Sequence, residues 1–359
     1  MHRRFVVFGG GMQGRVAAAD LAAEGHEVVV ADVRAPAALP AGARHEAADA
    51  TRRDDVARLA RGADACVLAL PSALARRALE HLVSVGARVA DVSFTPEPPL
   101  DLDAAAKASG ACALVDCGVA PGLSHVLAGA AHRELGGLDG LVILVGGLPL
   151  APPRYFHHAV YFNPRDLVAE YLRPARLRRA GRDEAPAPLE AHVETHKDAE
   201  YGELESFVSD GLRTLLASFP DCPEMEERTL RWPGHLHFMR GLRAAGLLDE
   251  PGGTADATAA ALGRSYPGEE HPDVLLMEVR AQRGAERRAW RLADVRREGL
   301  SAMARTTAFT TTAVARLLAR GDFREPGVHA PERLGLAEGL AARVLAELGA
   351  RGVGVERSP

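Results

Sequence analysis

The stretch FGGGMQGRV, Phe8–Val16, decides the fold of this 359-residue chain. It places Gly9, Gly11 and Gly14 at the spacing GxGxxG, which is a weak signal alone because it often occurs by chance. Here an aliphatic run precedes the glycines and an alanine-rich run follows them. Between a strand and a helix, such glycines form a tight turn, admit a pyrophosphate to the backbone and pack the helix on the sheet. The stretch therefore predicts the start of a Rossmann-type dinucleotide-binding domain.

The end of the second predicted strand bears on which dinucleotide is bound. EVVVAD, residues 27–32, ends in Asp32, eighteen residues after Gly14. A carboxylate there accepts hydrogen bonds from the adenosine ribose and repels a 2′-phosphate, which favours NAD over NADP. Arg34 keeps NADP open, because a nearby arginine is how a 2′-phosphate is accommodated. The other predicted nucleotide-binding residues lie in the glycine turn or at carboxyl ends of strands: Met12, Gln13, Val33, Asp49, Ala50, Leu70, Pro71, Ser72, Val92 and Ser93.

The periodicity of the chain predicts two kinds of domain. Up to about residue 115, short aliphatic runs alternate with alanine-rich runs, as in a doubly wound parallel sheet covered by helices on both faces. Strands are predicted over residues 5–8, 27–31, 65–70, 88–92 and 111–115, and helices over 13–24, 54–61, 72–85 and 101–109. The fold class is therefore α/β in this part.

After Pro121 the pattern changes to longer strands with few helices, which predicts an α+β, mostly antiparallel domain. Its strands are predicted over residues 138–145, 155–162, 189–196, 203–209 and 274–281, with a hairpin loop over 181–188 and final helices over 303–320 and 336–348. We predict a Rossmann domain over 1–125, the second domain over 126–299, and helices over 300–359 that return to the first.

Composition points to a small-molecule partner. The net charge of -5 offers no electrostatic reason to expect nucleic acid or an acidic membrane. Four scattered cysteines predict neither a disulfide framework nor a zinc site, so no metal is expected and a reducing compartment fits. The first residues run directly into the first strand without a signal peptide, which predicts a cytoplasmic protein. Lys107 and Lys197 are the only lysines, which disfavours amino-acid dehydrogenases that depend on lysines in a glycine-rich segment.

Six blocks of the sequence together resemble the saccharopine dehydrogenase superfamily, and within it the lysine 6-dehydrogenases. These blocks are residues 91–100, 116–125, 145–149, 163–177, 207–216 and 229–236. The resemblance implies a Rossmann domain built from both chain ends and a β-rich substrate domain that often mediates dimerisation, hence a homodimer or higher homo-oligomer. It also implies NAD-linked oxidation of the side-chain amine of a small amino-acid substrate, lysine.

Two departures from the family pattern are informative. Saccharopine reductases carry a substrate-binding aspartate in the loop after the sixth strand, and the matching residue here is Ala120. This difference weakens a saccharopine assignment and agrees with the lysine 6-dehydrogenase pattern. The second departure is Phe162–Asn163, where relatives often have Trp-Ser before the proline, and it bears on the shape of the pocket wall.

Oxidation of an amine requires a group that removes a proton, because a free amine of pKa ~10.4 is protonated at neutral pH. The candidate proton acceptors are Asp91, Asp116 and His235. Each has a structural alternative: Asp91 as a buried hydrogen-bonding group, Asp116 as a cap or loop brace, and His235 as the residue that holds its Pro-Gly turn.

Arginine suits the substrate carboxylate because its planar fork pairs with two oxygens. Arg165 resembles the arginine that family members use for this purpose and is the preferred anchor, while Arg231 and Arg213 are alternatives. The remaining residues predicted to contact substrate are Phe94, Glu97, Cys117 and Trp232. Two rival functions stay open: a saccharopine or carboxynorspermidine dehydrogenase, and a noncatalytic nucleotide-responsive binding protein.

Overall fold

The computed structural model describes residues 2–36, 38–190, 192–250 and 253–358. The chain divides into two compact units. The first comprises Met1–Ala130 and Ala304–Val353, and the second comprises Ala131–Met303 and Gly354–Pro359. The chain therefore leaves the first unit and returns to it before ending in the second.

The first part of the chain alternates strands with helices. In order, the elements are β1 (Arg4–Phe8), α1 (Met12–Ala22), β2 (Glu27–Asp32), β3 (Ala43–Ala47), α2 (Arg53–Ala60), β4 (Ala65–Leu68), α3 (Ser72–Ser84), β5 (Arg88–Asp91), α4 (Asp103–Ser109), β6 (Cys112–Leu114) and α5 (Leu123–Leu135). A short 3₁₀ turn over Leu100–Leu102 precedes α4.

The middle of the chain is richer in strands. Its elements are β7 (Gly140–Pro149), α6 (Pro164–Ala169), β8 (Leu177–Arg179), β9 (Arg182–Glu184), β10 (Glu194–Asp198), β11 (Gly202–Val208), α7 (Leu215–Ser218), β12 (Glu224–Arg231), α8 (His235–Ala244), α9 (Thr254–Ser265), β13 (Asp273–Arg283) and β14 (Glu286–Val295). The last elements are α10 (Ala302–Arg320), β15 (Gly327–His329), α11 (Glu332–Leu336), α12 (Leu340–Gly349) and β16 (Val355–Ser358).

The first unit contains a parallel sheet in the order β15-β6-β5-β4-β1-β2-β3. From β1 the chain runs outward through β2 and β3, then crosses back to β4 on the other side. The strand order therefore reverses between β1 and β4, which is where open α/β sheets bind ligands. Val6, Phe8, Val29 and Leu68 are fully buried in its core, as expected of strands covered on both faces. The predicted doubly wound sheet is confirmed.

The second unit contains a mixed sheet in the order β10-β11-β12-β7-β13-β14-β16, with β8 and β9 attached beside β12. Its neighbouring strands are antiparallel except for the pair β12–β7, which is parallel. The predicted second, mostly antiparallel α+β domain is thus confirmed. The hairpin loop predicted over residues 181–188 is shorter in the structure, because the turn lies at Ala180 and Gly181 and Arg182–Glu184 form β9, which pairs with β8.

The strand predicted over residues 155–162 is wrong. Tyr155 and His157 have φ angles of 70° and 54°, which break an extended chain, and only Val160 forms an isolated bridge. Aromatic residues indicated a strand here because they suit pleated surfaces, but Phe156 and His158 are instead buried among other aromatic rings.

Other elements differ from the predictions in extent. The strand predicted over 189–196 begins only at Glu194, and residue 191 lies outside the described residues. Helices α8 and α9 follow glycines in left-handed conformation and have no side-chain cap, so the usual helix-start signal is missing. Strands β12 and β14 were not predicted because their charged residues obscure the apolar alternation. Within the described ranges, no helix is long and apolar enough to cross a membrane.

Candidate nucleotide-binding and substrate-binding sites

The turn between β1 and α1 leaves room for a ligand. A Cβ on Gly9, whose φ is 105°, would overlap the carbonyl oxygen of Ala69, and a Cβ on Gly14 would overlap that of Gly9. These two glycines are therefore needed for close packing of the turn and the helix. By contrast, no described atom lies within 4 Å of the position that a Cβ on Gly11 would take. The open space at Gly11, at the start of α1, fits a pyrophosphate bound by helix N–H groups.

Asp32 is held in place at the carboxyl end of β2. Its Oδ2 accepts a hydrogen bond from the Gly10 amide at 2.7 Å, and its Oδ1 accepts one from the Arg34 amide at 3.0 Å. The carboxylate is thereby fixed beside the glycine turn. Val33 is 61% exposed, and the exposed Arg34 side chain has no ion pair within the described residues.

The ends of β4 and β5 are tied together by side chains. The Leu70 amide donates to Ser93 Oγ at 3.2 Å, and the Ser93 amide donates to Asp91 Oδ1 at 2.8 Å. Asp91 is 1% exposed, and its carbonyl oxygen accepts from the Cys117 amide at 2.7 Å. One role of Asp91 is therefore to join the loops after β4, β5 and β6.

The loop after β6 is buried and braced by the returning helix α10. Asp116 is 2% exposed with a φ of 54°, and Cys117 is also buried. The Thr311 hydroxyl on α10 donates to the Cys117 carbonyl at 2.9 Å. Burial, together with the nearby Asp91 and Asp116 charges, raises the pKa of the Cys117 thiol well above its usual range. Cys117 is thus a neutral thiol rather than a nucleophile.

In the second unit, a directed chain of hydrogen bonds joins three buried side chains. His235 Nδ1 lies 2.7 Å from the Phe156 carbonyl oxygen, which only accepts, so Nδ1 carries the proton. His235 Nε2 then accepts from the Tyr171 hydroxyl at 2.7 Å. The Tyr171 oxygen in turn accepts from Arg231 Nε at 2.9 Å. Burial, followed by the charge of Arg231, lowers the pKa of His235 to about 3, which agrees with a neutral ring.

Arg231 and His158 complete the surroundings of this chain. Arg231 also donates to Glu170 Oε2 at 2.7 Å and to the Leu230 carbonyl at 3.0 Å. His158 is 2% exposed, its ring lies 5.1 Å from that of His235, and neither of its nitrogens has a partner within the described residues. Burial lowers the pKa of His158 well below its usual range, so this ring is neutral as well.

Family comparisons match both parts of the chain. The model described as "Saccharopine dehydrogenase NADP binding domain" matches residues 5–114, and that described as "Saccharopine dehydrogenase C-terminal domain" matches residues 118–353. The chain belongs to the saccharopine dehydrogenase family. It is an oxidoreductase of this family with a pyridine-nucleotide-binding domain.

The chain is also similar to solved structures. Apo saccharopine dehydrogenase (L-Glu forming) from Saccharomyces cerevisiae is 16% identical, with a TM-score of 0.83 and 99% of each chain covered. DAP dehydrogenase from C. glutamicum in complex with DAP is 14% identical, with a TM-score of 0.47, 94% of this chain covered and 96% of the other. The similarity to the yeast enzyme shows a shared fold.

In this family member, the predicted nucleotide-binding residues gather at one edge of the parallel sheet. The glycine turn, Asp32, and the residues after β3, β4 and β5 all lie at carboxyl ends of parallel strands. Asp49 accepts hydrogen bonds from the Thr51 hydroxyl and amide at 2.7 and 2.9 Å, which lower its pKa. Gln13 Oε1 is buried without a partner within the described residues, so it is available to a ligand donor. Phe94 and the exposed Glu97 follow β5 at the same edge.

The predicted substrate-binding residues of the second unit lie in different environments. Arg165 is on α6, 56% exposed, and forms an ion pair with Asp256 on α9. Arg213 is 3% exposed with a φ of 49°. Trp232 donates its indole N–H to the Pro149 carbonyl at 2.7 Å. Of this set, only Arg231 belongs to the hydrogen-bonded chain with His235.

Three polar side chains of the second unit were not predicted from the sequence as site residues. Glu170 and Tyr171 follow α6 inside the block 163–177, and Glu227 stands two residues before the block 229–236. Their proximity to family blocks was the one available signal. Asn163 has a local role instead, since its Oδ1 accepts from the Arg165 and Asp166 amides and caps α6.

Proposed function

We propose that this protein catalyses NAD-dependent oxidative deamination of the ε-amine of L-lysine. The products are the 6-semialdehyde, or the cyclic imine that it forms with the α-amine, and ammonia. The observation that carries the choice of substrate is Ala120, which stands where saccharopine reductases have a substrate-binding aspartate. Without that carboxylate, the loop after β6 lacks a group that saccharopine recognition uses.

The choice of NAD rests on Asp32. Its carboxylate is fixed at the carboxyl end of β2 by the Gly10 and Arg34 amides. A negative group disfavours a 2′-phosphate. Two observations favour NADP instead: the Arg34 guanidinium lies two residues after Asp32, and the matching family model carries NADP in its description. Titration of the wild type with both nucleotides tests the proposal, and tighter binding of NADP would overturn it.

The residues of the glycine turn fit the cofactor that the proposal requires. Gly11 leaves space at the helix N-terminus, and Gln13 Oε1 is an unsatisfied acceptor in the same turn. The nicotinamide, when bound, accepts the hydride from the carbon that bears the amine. The chain must supply the group that removes the amine proton and the groups that orient the substrate.

For the substrate carboxylate, the proposed anchor is Arg165, whose guanidinium forms ion pairs with the exposed carboxylates of Asp256 and Glu250. Such exposed pairs exchange readily for another carboxylate because water screens them. Arg165→Ala is expected to raise the KM for lysine at least tenfold with little change in kcat. An unchanged KM would remove Arg165 from this role and favour Arg213 or Arg231.

The reaction is tested by following reduced nicotinamide absorbance with lysine, ornithine, saccharopine and polyamine conjugates, each with NAD and NADP. Turnover of lysine with NAD supports the proposal. Turnover of saccharopine or carboxynorspermidine but not lysine would overturn the substrate. Nucleotide binding without any turnover would favour a nucleotide-responsive binding protein.

A further inference from the structure

Strand β12 carries a polar stripe on a face that is buried. Glu227, Thr229 and Arg231 alternate along the strand on the same face and are 5%, 7% and 3% exposed. Buried sheet faces are ordinarily apolar, because a polar group loses water and needs a partner to compensate. Thr229 has such a partner in Ser209 Oγ at 2.8 Å, and Arg231 has Glu170 and Tyr171.

Glu227 is the residue of this stripe whose buried carboxyl oxygens are not both hydrogen-bonded within the described residues. Its Oε1 receives a long hydrogen bond from the Ser209 hydroxyl, 3.4 Å, and its Oε2 has no partner within the described residues. A buried carboxyl oxygen without a donor costs free energy comparable to a lost hydrogen bond. Such an atom indicates a donor that arrives with a ligand.

The Glu227 carboxyl packs directly against Gly211. A Cβ on Gly211 would overlap both oxygens of Glu227, so any other residue would displace the carboxyl. Gly211 has no left-handed φ that would require glycine for the backbone. The requirement for glycine is therefore the close approach of the Glu227 carboxyl itself.

The charges around Glu227 favour a cation as the missing donor. Asp210 and Glu170 are the nearby acids, and each is already paired, Asp210 with Arg176 at 2.8 Å and Glu170 with Arg231 at 2.7 Å. Arg213 is the nearby base whose charge acts on Glu227, yet no ion pair reaches Glu227 in the described part of the chain. Burial, with Asp210 and Glu170 adding to it, raises the pKa of Glu227 to about 8. The ammonium group of a substrate would supply a hydrogen-bond donor for Glu227 Oε2 and a positive charge that stabilises the ionised carboxylate.

We propose that Glu227 binds the substrate ammonium group that is oxidised and accepts its proton on Oε2. This inference rests on the proposed amine oxidation. One N–H bond of the ammonium breaks as an O–H bond forms on the carboxylate, leaving a neutral amine. Oxidised nicotinamide, when bound, would supply the acceptor for the C–H hydride of this amine, and water would then convert the resulting iminium to the carbonyl product and ammonia. Glu227 is thus a catalytic residue that the sequence did not single out.

The test compares Glu227→Gln with Glu226→Gln, which makes the same change on the opposite face of β12 at a residue paired with Arg179. In steady-state assays from pH 6 to 10, Glu227→Gln is expected to lower kcat/KM for lysine by about 100-fold and to lose the acid limb of the pH profile. Glu226→Gln keeps the wild-type rate and profile. A wild-type profile in Glu227→Gln would overturn the proposal and return the role to Asp91 or Asp116.

A binding experiment separates failure of this proposal from failure of the proposed function. Lysine and norleucine, which lacks only the ε-amine, are titrated by calorimetry into each protein with NADH bound. Glu227→Gln is expected to weaken lysine at least tenfold and to leave norleucine unchanged, even if wild-type turnover of lysine is absent. Equal lysine affinity in Glu227→Gln and wild type would overturn the ammonium site, and no lysine binding by the wild type would overturn both proposals.

Discussion

Tyr171 sets the protonation of its neighbours in the second unit. Its hydroxyl must donate to His235 and accept from Arg231, because the far end of the chain is a carbonyl oxygen. Tyr171→Phe removes both bonds and leaves two buried groups unsatisfied. We expect a loss of about 1–3 kcal/mol in the free energy of unfolding, measured in urea. Tyr155→Phe, at a 72% exposed position, is the control and should be neutral.

The glycine turn allows a second residue-scale prediction that separates packing from binding. Gly14→Ala places a methyl group on the Gly9 carbonyl oxygen and should lower the unfolding temperature as well as abolish nucleotide binding. Gly11→Ala meets open space, so the protein should fold normally while losing at least tenfold in NAD affinity. Thermal melts and calorimetric NAD titrations measure the two effects. Normal NAD affinity in Gly11→Ala would contradict the placement of the pyrophosphate.

At the scale of elements, ion pairs connect the C-terminal segment of the first unit, residues 304–353, to helix α1. Arg316 on α10 and Arg351 after α12 both bind Asp20 on α1, and both also reach Glu24. Arg316 and Asp20 are 3% and 8% exposed at their side chains. These contacts join the two segments of the chain that form the first unit. They also hold α1, whose first turn forms the glycine site.

Removing Arg316 from this network is expected to be costly, because the buried Asp20 carboxylate then keeps only Arg351 and the Thr312 hydroxyl as partners. Arg316→Leu should lower the free energy of unfolding by up to about 3 kcal/mol, less than the loss for a buried charge left with no partner. Arg343→Leu breaks a pair with Asp322 in which the arginine is 56% exposed, and should cost under about 1 kcal/mol. Urea unfolding at low and high salt measures both. Similar losses for the two variants would show that the network contributes little beyond surface pairing.

At the scale of the whole molecule, Glu227 makes stability depend on pH in an unusual direction. Burial raises its pKa from 4.5 to about 8, so between these values the folded protein holds a proton that the unfolded chain has released. This contribution is fully present below pH 4.5 and is lost as pH rises through 8. His235 acts oppositely, because its lowered pKa costs stability as pH falls below its usual value of 6.5.

Comparison of Glu227→Gln with the wild type isolates the first effect, since both proteins retain His235. The variant does not titrate at this position. Its stability relative to the wild type should therefore increase from pH 5 to pH 8, by roughly 1.4 kcal/mol per pH unit at the steepest. Urea unfolding at four pH values measures the difference. A constant difference would show that Glu227 keeps an ordinary pKa in the folded protein.

The spacing of nearby residues was sufficient to predict the features that depend on neighbours in the sequence. The glycine turn, the position of Asp32 after β2 and the alternation of buried strands with helices all follow from a few consecutive residues. Residues 155–162 show the limit of this reasoning, because Phe156 and His158 are buried by packing against residues such as His235, about eighty positions away. The buried polar residues of β12 could not be predicted either, because a charged segment is expected to be exposed until the sheet that buries it is known.

The sequence by itself therefore determined the Rossmann start, the order of the two domain types and the family blocks that bear on chemistry. The tertiary structure decided which polar groups meet. Tyr171, Arg231 and His235 are joined across about sixty residues of chain. Burial, with the charges of Asp210 and Glu170 adding to it, raises the pKa of Glu227. Burial and charge depend on what surrounds a side chain in space, and that surrounding is assembled from distant segments only when the chain folds.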